Sequence, residues 1–166
     1  MNNLTATQST STAATEANAN TTAINITGHS FTLPAGKSAR FTGIAIFQTA
    51  ATTTGMLYGV KVTTLTGANA NLIGSWNGRV GISGSSVATG LDKGGNFNVA
   101  ANTTVAGAIL GTAVSAISTN HDARIDGILT NLSTNTSATI QMVFASEVAA
   151  SAVTLQIGSG LYYEIL

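Results

Sequence analysis

The residues best suited to chemistry lie at positions 121–127, with the sequence HDARIDG. Four ionisable side chains fall within these seven positions: His121, Asp122, Arg124 and Asp126. The whole chain has only six Lys and Arg, six Asp and Glu, and two His, so this is a strong local concentration. A histidine beside carboxylates is a candidate for acid–base catalysis or metal binding. An arginine two residues from an aspartate equally indicates a structural ion pair.

Hydrolytic catalysis would need a nucleophile and an oxyanion hole in addition to this cluster. The chain has no Cys, and the serine run GISGSS at 81–86 lacks the last glycine of a Gly-x-Ser-x-Gly motif. The glycine-rich run DKGGNFN at 92–98 lacks the Gly-Lys-Ser/Thr ending of a phosphate-binding loop. We therefore expect that the protein is not an enzyme, with catalysis kept as an alternative.

Metal binding is a second alternative for the same run, with His121, Asp122 and Asp126 as nitrogen and oxygen ligands. The other histidine, His29, is far away in sequence. We therefore expect no metal and no cofactor. His121 is expected at an exposed turn before a strand, without a chemical task.

The elements that position these residues are predicted to be β-strands. In residues 123–129, alternation puts Ile125 and Leu129 on one face and Arg124 and Asp126 on the other. Arg124 can then pair with Asp126, or across strands with an acid such as Glu147, at a subunit interface or in a structural ion pair. If this pair is well buried, removing the arginine would cost about 3–5 kcal/mol.

Low charge restricts the partners that this chain can bind. Charged residues are 7% of the sequence and the formal net charge is zero, so we expect neither a nucleic-acid nor a membrane partner. The start of the chain has no secretory signal pattern, and no stretch approaches the roughly 18 apolar residues of a membrane span. A surface with so little charge indicates that other copies or a larger assembly cover it.

The pattern predicts an all-β jelly-roll sandwich over residues 22–166, preceded by an extended N-terminal arm at 1–21. The arm is rich in Ala, Ser, Thr and Asn, with Leu4 as its large apolar exception and Glu16 as its single charge. A turn is predicted at Asn77-Gly78 and a surface loop over 84–98. Residues 106–116 are predicted to be strand rather than helix.

Several predicted strands are apolar on both faces. In residues 39–49, Phe41, Ala45 and Phe47 share one face, while Ile44 and Ile46 share the other. One face meets the core, and the second would be exposed in a monomer. Large exposed apolar surfaces usually mark interfaces, so the pattern predicts an oligomer.

Short motifs resemble those of TNF/C1q-like jelly-roll domains of bacteriophage virion proteins over residues 24–76 and 120–166. The matching positions are an Ala-Gly turn at 35–36, a Thr-Gly pair at 54–55, the strand at 123–127, a strand end at 144–147, a strand start at 151–153, a Gly-Ser turn at 158–159 and the final strand at 161–166. The resemblance implies a homotrimer that acts as a capsid decoration or cement protein, bridging capsomers of the major capsid protein. It implies a place on the capsid surface after assembly in the host cytoplasm, with Leu4 and Glu16 of the arm in contact with the capsid.

The same resemblance leaves a second function open, a head- or tail-fibre domain that binds host surface glycans. Jelly rolls include lectins, and aromatic side chains can stack on sugars. The aromatic residues that could stack on a sugar are Trp76, Tyr58, Tyr162 and Tyr163, with Trp76 and Tyr58 as the leading candidates. Trp76 can equally be a core residue.

Overall fold

The structure is a computed structural model that describes residues 7–10, 15–67, 71–81, 90–100, 105–111 and 113–166. These residues form strands and no helix, and none of them belongs to a helix long and apolar enough to cross a membrane. The strands are β1 (Thr7–Thr10), β2 (Glu16–Asn18), β3 (Ile24–Leu33), β4 (Ser38–Thr49), β5 (Met56–Thr64), β6 (Asn71–Gly81), β7 (Gly90–Ala100), β8 (Val105–Leu110), β9 (His121–Asn131), β10 (Ala138–Ser146), β11 (Val153–Leu155) and β12 (Gly160–Ile165).

The strands build two antiparallel sheets, which confirms the all-β prediction and fits a β-sandwich. The larger sheet has the order β1-β12-β4-β9-β6-β7, and β11 joins β2 to the far end of β4. The smaller sheet has the order β3-β10-β5-β8. Apolar side chains from both sheets form one core between them.

The central strand β4 has one face buried in the core and one face directed outward. Its burial alternates along its length, with Phe41, Ala45 and Phe47 buried and Ile44 and Ile46 half-buried on the outward face, as predicted. Burying a side chain such as phenylalanine stabilises the fold by about 1.5–3 kcal/mol. The outward isoleucines give the larger sheet an apolar outer surface.

The hairpin of β6 and β7 corrects two predictions. Asn77-Gly78 is not a turn, because β6 continues through it with Asn77 opposite Gly94 and Gly78 opposite Lys93. Most of the predicted loop at 84–98 is strand β7, since residues 90–98 pair with β6 along their whole length. Cross-strand pairing here outweighs the local turn preference of an Asn-Gly pair. The strand prediction for 106–116 is confirmed by β8 at 106–110, whereas residues 111 and 113–116 are not in a strand.

Two strands from the predicted arm pair with the same chain, β1 with β12 and β2 with β11. The Glu16 carboxylate accepts a hydrogen bond from the Thr27 main-chain N–H at 3.0 Å. Glu16 therefore fastens β2 to β3, and its contact with a capsid stays a prediction. Leu4 lies outside the described residues, and the division of the chain at residue 21 stays a prediction.

Asn18 is buried at the end of β2, and we expect it to stabilise this junction. Its Nδ2 donates to the main-chain oxygens of Thr22 at 3.0 Å and Phe144 at 3.2 Å. Asn18→Ala should lower the free energy of unfolding by about 1–3 kcal/mol, because a buried carbonyl loses a donor. Chemical denaturation measures this change. Asn20→Ala, at an exposed site, is the matched control, and an equal effect of both variants would contradict the assigned role.

Candidate functional site

The run that opened the sequence analysis forms the middle of the larger sheet. Strand β9 lies between β4 and β6, and its side chains alternate between the core and the outer face. Ile125 and Leu129 are buried, whereas Arg124 and Ile128 are exposed, so the predicted division of faces is confirmed. The charged side chains therefore lie on the outward surface of the sheet, away from the core.

Arg124 and Asp126 contact each other through two hydrogen bonds. Arg124 Nε lies 2.7 Å from Asp126 Oδ2, and Arg124 Nη2 lies 2.8 Å from Oδ1. Thr42 on β4 donates its hydroxyl to the same Oδ1 at 2.6 Å. The side chains are 49% and 37% exposed, so this geometry is strong but partly hydrated.

The surroundings keep Asp126 ionised. Partial burial would by itself raise the pKa of its carboxyl group. The hydrogen bonds from Arg124 and Thr42, together with the positive charges of Arg124 and Arg79, outweigh burial and hold the pKa below its ordinary value. A lowered folded-state pKa means that this stabilisation is present above the ordinary pKa and is lost as pH falls through the folded value.

Strand β6 adds a second arginine to this surface. Arg79 lies directly opposite Arg124 in the register of β6 and β9, an arrangement that is unfavourable for like charges. The Arg79 Nη2 atom is 3.7 Å from Asp122 Oδ2, a long and exposed ion pair. A groove of about 650 Å³ opens here, lined by Asn77, Gly78, Arg79, Lys93, Gly94, Arg124 and Asp126, and we call it the cation groove.

Sequence reasoning missed Arg79 and Lys93 as members of this site. Arg79 is 45 positions before Arg124 in the sequence, and only the pairing of β6 with β9 brings the two together. The Asn77-Gly78 turn prediction would have placed Arg79 in a different strand. No local motif signals this contact.

A second recess lies on the β12 side of the same sheet. It has a volume of about 200 Å³, and its lining, which we call the tyrosine crevice, comprises Arg40, Phe41, Thr42, Tyr162, Tyr163 and Glu164. Tyr163 stacks on Phe31 with ring centroids 4.4 Å apart, whereas Tyr162 is 42% exposed. Glu164 lies opposite Arg40 in the register of β12 and β4.

His121 does not lie at an exposed turn, which corrects that expectation. It begins β9 with its ring buried at 3% exposure, and its Nε2 is 3.0 Å from the Ala116 carbonyl oxygen. Its ring faces the core beside Phe47, on the face opposite to Asp122 and Asp126. The three therefore do not converge, and the described residues include no group of three or more His, Cys, Asp or Glu able to hold a metal.

The other predicted site residues lie elsewhere. Glu147 accepts a hydrogen bond from the Gly55 main-chain N–H at 3.1 Å, and within one chain Arg124 pairs with Asp126 instead. Tyr58 is fully buried and burial raises the pKa of its phenol, so its assignment to glycan stacking is wrong. Trp76 is half-buried and packs against Phe97 with ring centroids 6.4 Å apart, as a core-flanking residue.

Because the Arg124–Asp126 pair is half-exposed, removing the arginine should destabilise the protein less than it would if the pair were well buried. Arg124→Ala should lower the free energy of unfolding by about 0.2–1 kcal/mol in dilute protein, because solvent screens the pair. Lowering the pH should also destabilise the variant less than it destabilises the unmodified protein, since the Asp126 pKa returns toward its ordinary value. Urea titrations across the acid range measure both effects, with Lys37→Ala as control. A loss of about 3 kcal/mol or more would contradict this assignment.

Comparisons with known proteins give no family. No family model matches the chain, and no curated protein matches it. Among solved structures, two of infectious bursal disease virus, from the Gx and Gt strains, align at TM-scores of 0.24 and 0.28 with 13% and 12% identity. The VP2 subviral particle of the same virus aligns at a TM-score of 0.25 with 12% identity.

These alignments cover 98%, 99% and 98% of this chain, but only 38%, 41% and 40% of the three viral chains. The chain thus spans about two fifths of the length of the structures it matches. At these TM-scores the likeness carries no argument about function.

Proposed function

We propose that this protein is a structural component of a bacteriophage virion, a homotrimeric TNF/C1q-like jelly roll that decorates and cements the capsid. Its partners are further copies of itself and the major capsid protein, whose capsomers it bridges. It acts mechanically, without catalysis or a cofactor, on the capsid surface after assembly in the host cytoplasm. Neither nucleic acid nor membrane is a partner in this proposal.

The strand order supports the jelly-roll part of the proposal. We set aside β2, β11 and the β6–β7 hairpin and number the remaining described strands 1 to 8 in chain order. The sheets then read 1-8-3-6 and 2-7-4-5. This order contains the two Greek keys of a jelly roll. The β6–β7 hairpin is an insertion that widens the larger sheet beside β9.

The outward face of the larger sheet is the single observation that carries the proposal. Ile73 and Ile128 are 45% and 37% exposed there, beside the half-buried Ile44 and Ile46. The same face carries both ion pairs found among the described residues. Apolar side chains between satisfied charges are typical of a contact surface between proteins. Only 7% of the residues in the chain are charged, and those of both ion pairs lie on this face. This concentration supports burial of the face in an assembly.

The alternative function, a head- or tail-fibre domain that binds host glycans, is supported by one of the aromatic residues considered from the sequence. Tyr162 offers an exposed ring between Arg40 and Glu164 in the tyrosine crevice. An aromatic face beside charged hydrogen-bonding groups suits a sugar ring. Tyr162→Ala should abolish glycan binding in this alternative and leave capsid decoration intact.

Electron cryo-microscopy of virions with and without this protein tests the proposal. We expect threefold densities on capsids that contain it and none on capsids that lack it. Capsids without it should rupture at lower temperature, because the contacts across capsomer junctions are lost. Density confined to the tail would contradict the cement function and support the fibre alternative.

A further inference from the structure

We propose that His29 is an acid-sensitive switch at the contact between the N-terminal strand β2 and the body of the sandwich. Its neutral ring lies buried and keeps β3 joined to β2, whereas protonation turns the ring toward water and opens this contact. This inference goes beyond the proposed function, because it concerns a single chain and holds whether or not that chain forms a trimer. It rests on the position of His29 in an interruption of β3.

The ladder between β3 and β10 is interrupted at residues 26–29, which we call the β3 bulge. Asn25 lies opposite Val143. The next pair along the ladder is Ser30 and Gln141, so four residues of β3 face a single residue of β10. Bulges end regular pairing and re-aim side chains. The β3 bulge can therefore move without breaking the paired positions on either side of it.

Side chains from two neighbouring strands hold the β3 bulge closed. Glu16 of β2 accepts a hydrogen bond from the Thr27 main-chain N–H at 3.0 Å. Gln141 of β10 donates its Nε2 to the main-chain oxygens of Ile26 at 2.8 Å and His29 at 3.1 Å. Opening the bulge therefore breaks the side-chain contact that joins β2 to β3.

The ring of His29 lies inside this closed arrangement. It is 0% exposed, and neither ring nitrogen has a hydrogen-bond partner among the described residues. Buried polar atoms are nearly always paired, so an unpaired imidazole at this position indicates a role other than stabilisation. A charged ring has two donors and loses more hydration than a neutral ring, so this site favours the neutral form.

The groups around His29 do not compensate for its burial. Burial is the largest influence on the ring, and it lowers the pKa of His29 below the ordinary value. The Glu16 carboxylate on β2 and the main chain of Ser159 favour the protonated ring, but burial outweighs both. Gln141, the side chain of β10 that binds the main chain of His29, carries no charge. Among the described residues, Glu16 is the charged group that acts on the ring.

The direction of the pH dependence follows from these two states. In the open state, water surrounds the ring and its pKa returns to the ordinary value of about 6.5. Because the closed state has the lower pKa, the free energy that keeps the bulge closed is constant above the ordinary pKa. It falls as pH drops below that value and levels off at the closed-state pKa. Mild acid should therefore loosen β2.

Hydrogen exchange of the Thr27 amide tests the switch, because this N–H donates to Glu16 and is freed when the bulge opens. After correction for the intrinsic effect of pH on exchange, its rate should rise about fivefold or more between about pH 7.5 and about pH 5.5. His29→Gln should abolish this rise, since glutamine does not titrate. The matched control is His121→Gln, which removes the other histidine of the chain and should keep the rise.

A nuclear magnetic resonance titration of the two histidine rings follows protonation directly, and His121→Gln identifies the His29 signal. His29 should titrate below its ordinary pKa, and lower still in Glu16→Gln, because the negative charge that favours the protonated ring is gone. A residue with a structural role alone would not show this second change. If His29→Gln does not fold, His29→Phe replaces it with the same expectation.

A rise in Thr27 exchange that persists without His29, or a His29 ring that titrates at or above its ordinary pKa, would overturn the switch. Loss of protection throughout the core strands over the same pH range would also overturn it, since acid would then unfold the whole chain. Each of these outcomes leaves the proposed virion function as it stands, because that function does not depend on His29.

Discussion

Replacing Phe47 by alanine should lower the free energy of unfolding by about 3–5 kcal/mol, the usual cost of removing a buried phenylalanine ring. Phe47 is fully buried and lies where three strands of the larger sheet meet. It is opposite His121 on β9 and opposite Leu155 on β11. Truncation would leave a cavity that these paired strands cannot close, since each is fixed by its own ladder.

Urea denaturation measures this effect, with Ile157→Ala as the matched control. Ile157 is 68% exposed, so its truncation should change the free energy of unfolding by less than about 0.5 kcal/mol. Equal losses in the two variants would show that Phe47 is not a core residue and that the sandwich is assembled differently.

Gly127→Ala should destabilise the protein by about 1–3 kcal/mol through overpacking. An added Cβ would lie 2.6 Å from Cε1 and Cζ of the Phe41 ring and 3.1 Å from the Ser75 carbonyl oxygen. The ring lies over this glycine within the core, and the β6 backbone blocks the other side. Relief requires a shift of β9, which would also move Asp126 and Ile128 on the outward face.

In Gly127→Ala the melting temperature should therefore fall and the dissociation constant of the trimer should rise. Gly160→Ala is the control, because its added Cβ would meet only the Tyr162 ring, at 3.3 Å or more. A Gly127→Ala variant with the same melting temperature as the unmodified protein would contradict the packing described for Phe41.

Local alternation was sufficient to predict the fold class and the faces of the central strands. Residues 39–49 and 123–129 alternate because one face of each strand is buried, a constraint that acts over two or three residues. The Asn77-Gly78 turn failed because its evidence was also local, whereas β6 is fixed by β7 and β9 on both sides. Sequence-distant pairing determined that element.

The candidate site could likewise be predicted only in part from the sequence. The Arg124–Asp126 contact follows from two residues on one strand and could be anticipated, although its exposure could not. Arg79 joins it only through the register of β6 and β9. His121 was placed on the wrong surface, because a histidine at the start of a strand can turn inward to bond a carbonyl of the preceding loop, here that of Ala116. The prediction that Tyr58 stacks on a glycan was likewise wrong, because the burial of this residue depends on which sheet covers it.

Sedimentation equilibrium of the purified protein at micromolar concentration is the most direct test of the central claim, that this chain works as a trimer. The account predicts a single species with about three times the 16.6 kDa mass of one chain. A stable, soluble species at the mass of one chain would contradict it, because the apolar and charged outward face of the larger sheet would then be exposed to water.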